Sequence, residues 1–70
     1  MKKKMIIEGM SCKNCVKHVE EALERLSEVS HIEVNLEAKY ALVETTADNS
    51  VLEEAIDDAG YDVVSIEVIA

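Results

Sequence analysis

Apolar residues recur along the chain with two different spacings, and each spacing predicts one kind of secondary structure. Where apolar and polar residues alternate, the stretch predicts a half-buried strand, because successive side chains of a strand face opposite sides. Four stretches alternate in this way: residues 4–8, 31–36, 40–46, and the last segment, which carries Val64, Ile66 and Val68.

Two other stretches place apolar residues three and four positions apart, which is the spacing of one face of a helix. The first covers residues 13–26, and its apolar stripe consists of Val16, Val19, Ala22, Leu23 and Leu26. The second follows Ser50, which together with Glu53 matches the capping box of a helix N-terminus. Its stripe consists of Val51, Leu52, Ala55, Ile56 and Ala59. Gly60 is predicted to end this helix in a left-handed conformation.

The predicted elements follow the order β-α-β-β-α-β. Because crossover connections are right-handed, both helices fall on one face of a four-stranded antiparallel sheet. This arrangement is the α+β ferredoxin-like sandwich. The 70 residues suffice for one such domain, residues 1–70, and leave no room for a second core.

Charge is distributed unevenly along the chain, whose net charge is −8. The first 17 residues carry five lysines and one acid, whereas the remaining residues carry one lysine, one arginine and fourteen acids. An acidic body of this kind argues against nucleic acid and anionic lipid as partners, since both require many lysine or arginine contacts. The acidic helix faces are interpreted as solvated surface and, secondarily, as a docking surface for a basic protein patch.

No segment resembles an export signal or a membrane span. The apolar run after the first lysines, residues 5–7, is too short for the hydrophobic region of a signal peptide and is followed by Glu8. No stretch approaches the roughly 20 apolar residues that cross a bilayer. We therefore expect a cytoplasmic protein, in which thiols stay reduced and structural disulfides are rare.

The only two cysteines, Cys12 and Cys15, stand three positions apart. Cys15 is predicted near the first turn of the first helix, where unpaired N–H groups favour the thiolate, and Lys13 and Lys17 lie close enough in sequence to add to this effect. Thiolates select Cu(I), zinc or iron–sulfur clusters. Structural zinc takes four ligands and a cluster usually takes four cysteines, whereas two thiolates suffice for Cu(I). The pair therefore predicts an incomplete shell from which Cu(I) can be transferred.

A CxxC sequence beside a βαβ unit is also typical of thioredoxin-like thiol–disulfide oxidoreductases. Such sites normally carry an aromatic residue before the first cysteine and a proline between the two. Here those positions hold Ser11 and the pair Lys13-Asn14, and the chain contains no proline. The chain is thus interpreted as a metal carrier and not an enzyme, with the oxidoreductase kept as the alternative of another class.

The segment GMSCKNC, residues 9–15, resembles the GMxCxxC signature of the heavy-metal-associated domain. Two further segments, VNLEA at 34–38 and AIDDAGYDV at 55–63, resemble matching segments of bacterial copper chaperones, so that the similarity covers nearly the whole chain. The resemblance implies that Cys12 and Cys15 bind one Cu(I). It also implies transfer of that ion to the N-terminal domains of a copper-transporting P-type ATPase or to a copper-sensing repressor.

The resemblance assigns roles to three further residues. Met10 corresponds to a methionine that packs under the metal loop without binding the ion. Tyr61 corresponds to a tyrosine thought to shield the site and tune exchange, although a core-capping role of its ring stays open. Ser11 stands where relatives that prefer Zn(II) or Cd(II) tend to have a carboxylate, which argues for a monovalent ion. The segment EAKYA departs from the family pattern because it lacks the glycine often found in that turn.

His18 follows Cys15 by one helical turn, and its role stays open between three interpretations. It is a solvated helix residue, a third ligand, or a ligand shared by two molecules around one copper. Accordingly, we expect a monomer without copper, with a copper-bridged dimer as the alternative. His31 and Tyr40 are interpreted as sheet-surface residues without a role. The same metal chemistry also fits the N-terminal metal-binding domain of a copper-transporting ATPase, although Tyr61, where such domains more often have phenylalanine, favours a free chaperone.

Overall fold

The computed structural model describes residues 1–70, and its elements follow the predicted order. The bounds are β1 Lys2–Glu8, α1 Lys13–Glu24, β2 Val29–Asn35, β3 Tyr40–Thr45, α2 Asn49–Asp58 and β4 Asp62–Val68. All strand pairs are antiparallel, and the strands lie in the order β2-β3-β1-β4. The predicted ferredoxin-like sandwich is confirmed. Neither helix has the length and apolar character needed to cross a membrane.

The core lies between the helices and one face of the sheet. The central strand β1 contributes Met5 and Ile7, both without exposed surface, as its alternating pattern predicts. The other buried apolar residues of this cluster are Met10, Val19, Leu23, Ala41, Val43, Ala47, Leu52 and Ile56. Both helices bury their apolar stripes against the same face of the sheet. The loop after β1 lies at the end of this core, because its residue Met10 belongs to the buried cluster.

Strand β4 lies where the sequence predicts it, but its side chains do not alternate regularly between the core and solvent. The pairing of β1 with β4 shifts between Ile6 and Ile7, so that Ile7 pairs with Val63 while Ile6 pairs with Ser65. A bulge of this kind places an extra residue on one strand and changes which side chains face the core. Val63 therefore packs on the core, whereas Val64 is 58% exposed.

The predicted capping box at the start of α2 is wrong. The helix begins at Asn49, with Asp48 as the capping residue and no side-chain cap hydrogen bond. A tertiary contact fixes this start instead: the buried ammonium of Lys3 donates to the carbonyl oxygen of Ala47 at 2.8 Å and to Oδ1 of Asn49 at 2.9 Å. Ser50 therefore lies inside the helix, where its hydroxyl cannot cap the first turn.

The turn between β2 and β3 explains how the chain manages without the glycine that the family pattern favours there. Lys39 has φ 58, in the left-handed region that non-glycine residues rarely adopt. Oδ1 of Asn35 accepts a hydrogen bond from the N–H of Ala38 at 2.9 Å, which stabilises the turn. The carbonyl of Lys39 accepts the N–H of Ile7 at 2.9 Å, so this turn lies beside the end of β1 from which the loop of residues 9–12 departs.

Candidate metal centre

The loop between β1 and α1 brings the two cysteine sulfurs together. Cys12 has an extended backbone and caps α1, and its carbonyl accepts the N–H of Cys15 at 3.1 Å. This places Cys15 in the first helical turn, with its Sγ 3.2 Å from Sγ of Cys12. Both thiols are free; Cys12 is exposed and Cys15 is half-buried. The two sulfurs thus form an open pair with one accessible member and one partly covered member.

Hydrogen bonds lower the pKa of Cys15 from 9.0 to about 6. The largest contribution comes from the backbone of Ser11, followed by the hydroxyl of Tyr61 and the thiol of Cys12, while partial burial acts in the opposite direction. Cys15 is therefore largely a thiolate at neutral pH, which is the form that binds soft metal ions. The sequence predicts a thiolate here, but it attributes part of the effect to lysines that do not contribute.

Tyr61 reaches the cysteine pair because α2 ends at a defined residue. Gly60 has φ 95, its N–H donates to the carbonyl of Asp57 at 2.9 Å, and the N–H of Tyr61 donates to the carbonyl of Ile56 at 3.2 Å. These two bonds constitute a Schellman motif, which confirms the predicted left-handed end at Gly60. The motif turns the Tyr61 ring back onto the metal loop.

Gly9 provides the space that this ring occupies. A Cβ atom at Gly9 would lie 3.3 Å from Cδ1 of Tyr61, and the residue has φ 97. The hydrogen bond to Cys15, together with burial and the charge of both cysteines, raises the pKa of Tyr61 to about 12. Tyr61 is consequently protonated at neutral pH and acts as a hydrogen-bond donor to Cys15.

The side chain of Met10 lies in the core. Its side chain is 2% exposed and belongs to the buried apolar cluster, which anchors the metal loop from below. The neighbouring Ser11 is exposed, and its contribution to the site is the backbone hydrogen bond to Cys15. Sequence reasoning missed this backbone contribution because it depends on the path of the loop and not on the side chain.

His18 lies near the site but contacts Tyr61. Its Nδ1 is 3.2 Å from the Tyr61 hydroxyl oxygen, and no three histidine, cysteine or acidic side chains converge to form a metal site anywhere in the structure. The two residues are 43 positions apart, so only the docking of α2 against α1 brings them together. His31 is exposed on β2, and Tyr40 lies on the sheet under the ammonium of Lys4.

The fold and the cysteine loop together match one protein family. The sequence profile of the heavy-metal-associated domain matches residues 4–62, which is most of the chain. The chain belongs to the heavy-metal-associated domain family. In the structure, Cys12 directly precedes α1 and Cys15 lies in its first turn, both within the segment that resembles the signature of this family.

Three relatives show how this heavy-metal-associated domain compares with known proteins. It is 45% identical over 64 residues to the copper chaperone CopZ of Bacillus subtilis, an alignment that covers 87% of this chain and 93% of that protein. It is 46% identical over 59 residues to copper-transporting ATPase 2 of Rhizobium meliloti, covering 80% of this chain and 7% of the ATPase. A solved CopZ metallochaperone superimposes with a TM-score of 0.86 at 37% identity, covering 91% of this chain and 100% of that one.

Proposed function

We propose that this protein is a copper chaperone that binds one Cu(I) between Cys12 and Cys15 and transfers it by ligand exchange. The observation that carries the proposal is the sulfur pair itself: two adjacent sulfurs at a helix N-terminus, with no third ligand nearby. The similarity to CopZ along most of both chains supports the same role. The protein performs no chemical catalysis in this proposal, because it only carries its cargo.

The donor set fits Cu(I) better than a divalent structural ion. Structural zinc requires four ligands, and this chain supplies two at the loop. Soft thiolates without carboxylates favour Cu(I), which accepts two or three sulfur ligands. Ser11, exposed beside Cys12, contributes no carboxylate that would attract a divalent ion.

The spacing of the two sulfurs indicates that one cysteine must move when the ion binds. With metal–sulfur bonds of ~2.3 Å, two sulfurs stand roughly 3.8 Å apart on a tetrahedral ion and roughly 4.6 Å apart on a linear one. The pair at 3.2 Å must therefore open when the ion enters. Cys15 is half-buried within the first turn of α1, whereas Cys12 is exposed and precedes the helix, so Cys12 is the cysteine that moves.

The same asymmetry suggests the order of transfer. An incoming thiolate reaches the ion from the exposed Cys12 side and forms a three-coordinate intermediate. Cys12 then leaves before Cys15, because Cys12 is exposed whereas Cys15 is half-buried in the first turn of α1. At no point is the ion released into water.

The acceptor in this proposal is a metal-binding domain of a copper-transporting P-type ATPase, because such domains belong to the same family and carry similar sequence. A copper-sensing repressor is the second acceptor that we propose. A copper-bridged dimer, with His18 or two Cys12 sulfurs sharing the ion, belongs to the same set of proposals. The proposed site of action is the cytoplasm, because the two thiols must stay reduced to bind the ion.

The test is an anaerobic competition on the reduced protein, with Cu(I) against bicinchoninate and Zn(II) against a chromophoric chelator. Wild type should hold one Cu(I) per chain and bind zinc weakly, and Cys12→Ser or Cys15→Ser should lose tight copper binding. Ser11→Ala is the matched control, because it changes the loop but keeps the backbone hydrogen bond to Cys15. Tight zinc, or no metal at all, would overturn the proposal.

Two alternatives have their own readouts. Insulin reduction that persists with a tight Cu(I) chelator present would favour a thiol–disulfide oxidoreductase. The second alternative is that this chain is the N-terminal metal-binding domain of a copper-transporting ATPase. The 46% identity to part of the Rhizobium meliloti ATPase favours this alternative. An immunoblot of the source cells separates this case, because a domain would appear only within a polypeptide of ATPase size.

A further inference from the structure

His18 and Tyr61 form a hydrogen bond at the edge of the cysteine pair that metal binding by the two sulfurs does not explain. Nδ1 of His18 and the hydroxyl oxygen of Tyr61 are 3.2 Å apart. His18 is in α1, one turn after Cys15, and Tyr61 follows the end of α2. The bond therefore links the two helices at the metal-binding end of the fold.

Proton counting decides the direction of this bond. A phenol has one hydroxyl proton, and a neutral imidazole has one N–H. The hydroxyl of Tyr61 also interacts with the sulfur of Cys15, where it lowers the pKa of the thiol, and because a thiolate can only accept, the single hydroxyl proton points to that sulfur. The phenolic oxygen can then only accept from His18, which requires the proton to be on Nδ1 and not on Nε2.

We propose that His18 is a positioning residue: its Nδ1–H donates to the oxygen of Tyr61 and thereby directs the single hydroxyl proton of Tyr61 onto the sulfur of Cys15. The packing of the ring against Gly9, with Cδ1 of Tyr61 3.3 Å from where a Cβ would be, holds one end of the aromatic ring. His18 holds the other end. Together they keep the hydroxyl over Cys15.

The consequence for copper rests on the proposed function. A Tyr61 ring held from both ends covers Cys15 and leaves the exposed Cys12 as the side from which a competing thiol approaches. Without His18 the ring rotates away more often, and the Cys15 side opens to a second line of attack. Loss of one such exposed hydrogen bond should change the release rate by about two- to tenfold.

The first test uses the metal-free, reduced protein, so that it does not depend on copper. Long-range proton–nitrogen NMR, recorded above the titration range of histidine, reports which ring nitrogen carries the proton. The Nδ1–H form should predominate in His18 of wild type and give way to the commoner Nε2–H form in Tyr61→Phe, while His31 stays unchanged in both. An Nε2–H form of His18 in wild type would overturn the proposal, because Tyr61 would then donate to His18.

The second test measures the rate at which a large excess of a small Cu(I) chelator removes copper. His18→Ala should release copper about two to ten times faster than wild type. His18→Asn should stay close to wild type, because the asparagine amide N–H is as many bonds from Cα as Nδ1. His31→Ala is the matched control, since it removes the other histidine, which is exposed on β2.

A double variant tests whether the two residues act as one unit. His18→Ala combined with Tyr61→Phe should release copper no faster than Tyr61→Phe alone, because the histidine acts only through the hydroxyl. Additive effects, or an unchanged rate in His18→Ala, would overturn the proposal. A wild-type protein that binds no copper would instead refute the copper function, and the tautomer measurement would still decide the role of His18.

Discussion

Gly9 and Gly60 offer a matched pair of substitutions, because their backbones are alike and their surroundings differ. Their φ angles are 97 and 95, both in the left-handed region. A Cβ at Gly60 would meet nothing within 4 Å, whereas a Cβ at Gly9 would lie 3.3 Å from Cδ1 of Tyr61. Alanine at either position therefore introduces the same backbone strain, but only alanine at Gly9 pushes on the aromatic ring.

The backbone strain sets the loss of stability. A left-handed conformation costs an ordinary residue about 1–2 kcal/mol. For a domain of this size, ~1 kcal/mol corresponds to a change of ~4–8 °C in melting temperature. We expect Gly9→Ala and Gly60→Ala to lose comparable stability. In Gly9→Ala the ring of Tyr61 must in addition move by a few tenths of an ångström to restore an ordinary contact.

The assay separates the two effects by measuring the site as well as the fold. Urea unfolding of the reduced, metal-free protein gives the stability of each variant. The pH profile of alkylation at Cys15 gives its pKa, which is about 6 in the wild type. Gly9→Ala should raise this midpoint, because a displaced Tyr61 hydroxyl donates less well to the thiolate. Gly60→Ala should leave it near the wild-type value.

Either of two results would refute this reasoning. If the midpoint rises equally in both variants, backbone strain alone disturbs the site and the contact between Gly9 and Tyr61 has no special role. If it rises in neither, the ring tolerates the added methyl and the hydroxyl is not held by packing. A loss of structure in one variant would be visible in the same unfolding curve.

Further predictions concern the core, the thiolate and the bound ion. Lys3→Met should destabilise the protein by about 1–3 kcal/mol, because it leaves two buried or partly buried acceptors without their charged donor. Lys2 is exposed, so Lys2→Met should change the free energy of unfolding in urea little. Equal losses in the two variants would contradict the role of Lys3. Because the folded pKa of Cys15, about 6, is below the unfolded value of 9.0, its contribution to metal-free stability is complete above pH 9 and is lost as pH falls through 6. Thermal unfolding across that range should show a decline that Cys15→Ser lacks. Met10→Leu should lower stability by about 1 kcal/mol and leave Cu(I) affinity unchanged, and a folded variant without copper binding would refute the packing role. A hundredfold excess of Cu(I) over Kd should stabilise wild type by ~2.7 kcal/mol, measured as a rise in melting temperature that Cys12→Ser abolishes.

The architecture could be predicted from the sequence because the local signals agree with the global fold. Alternation in β1, the apolar stripes of the helices and the left-handed Gly60 each depend on residues close together in the chain. The position of the cysteine pair at the start of α1 follows from the same local pattern. Where neighbouring residues decide the conformation, a single sequence is sufficient.

The features that the sequence did not reveal depend on residues far apart in the chain. The start of α2 is set by Lys3, which is 46 positions from Asn49, and nothing near Ser50 indicates that contact. The bulge in β4 becomes apparent only in the register against β1. The contact between His18 and Tyr61 likewise requires both helices to be docked. Sequence alone therefore identified the two sulfurs and, through the family resemblance, Tyr61, but it did not reveal the contact of Tyr61 with His18 or the backbone hydrogen bond from Ser11 to Cys15.

The Schellman turn that ends α2 makes the number of residues between Ile56 and Tyr61 a constraint on evolution and engineering. One residue inserted there would rotate Tyr61 away from Gly9, although nothing in that turn binds metal. The connection between α1 and β2, residues 25–28, lies at the far end of the sheet beside Met1 and Thr45. Insertions, affinity tags and fused domains should therefore be tolerated at that end, whereas changes of length between Ile56 and Tyr61 should not.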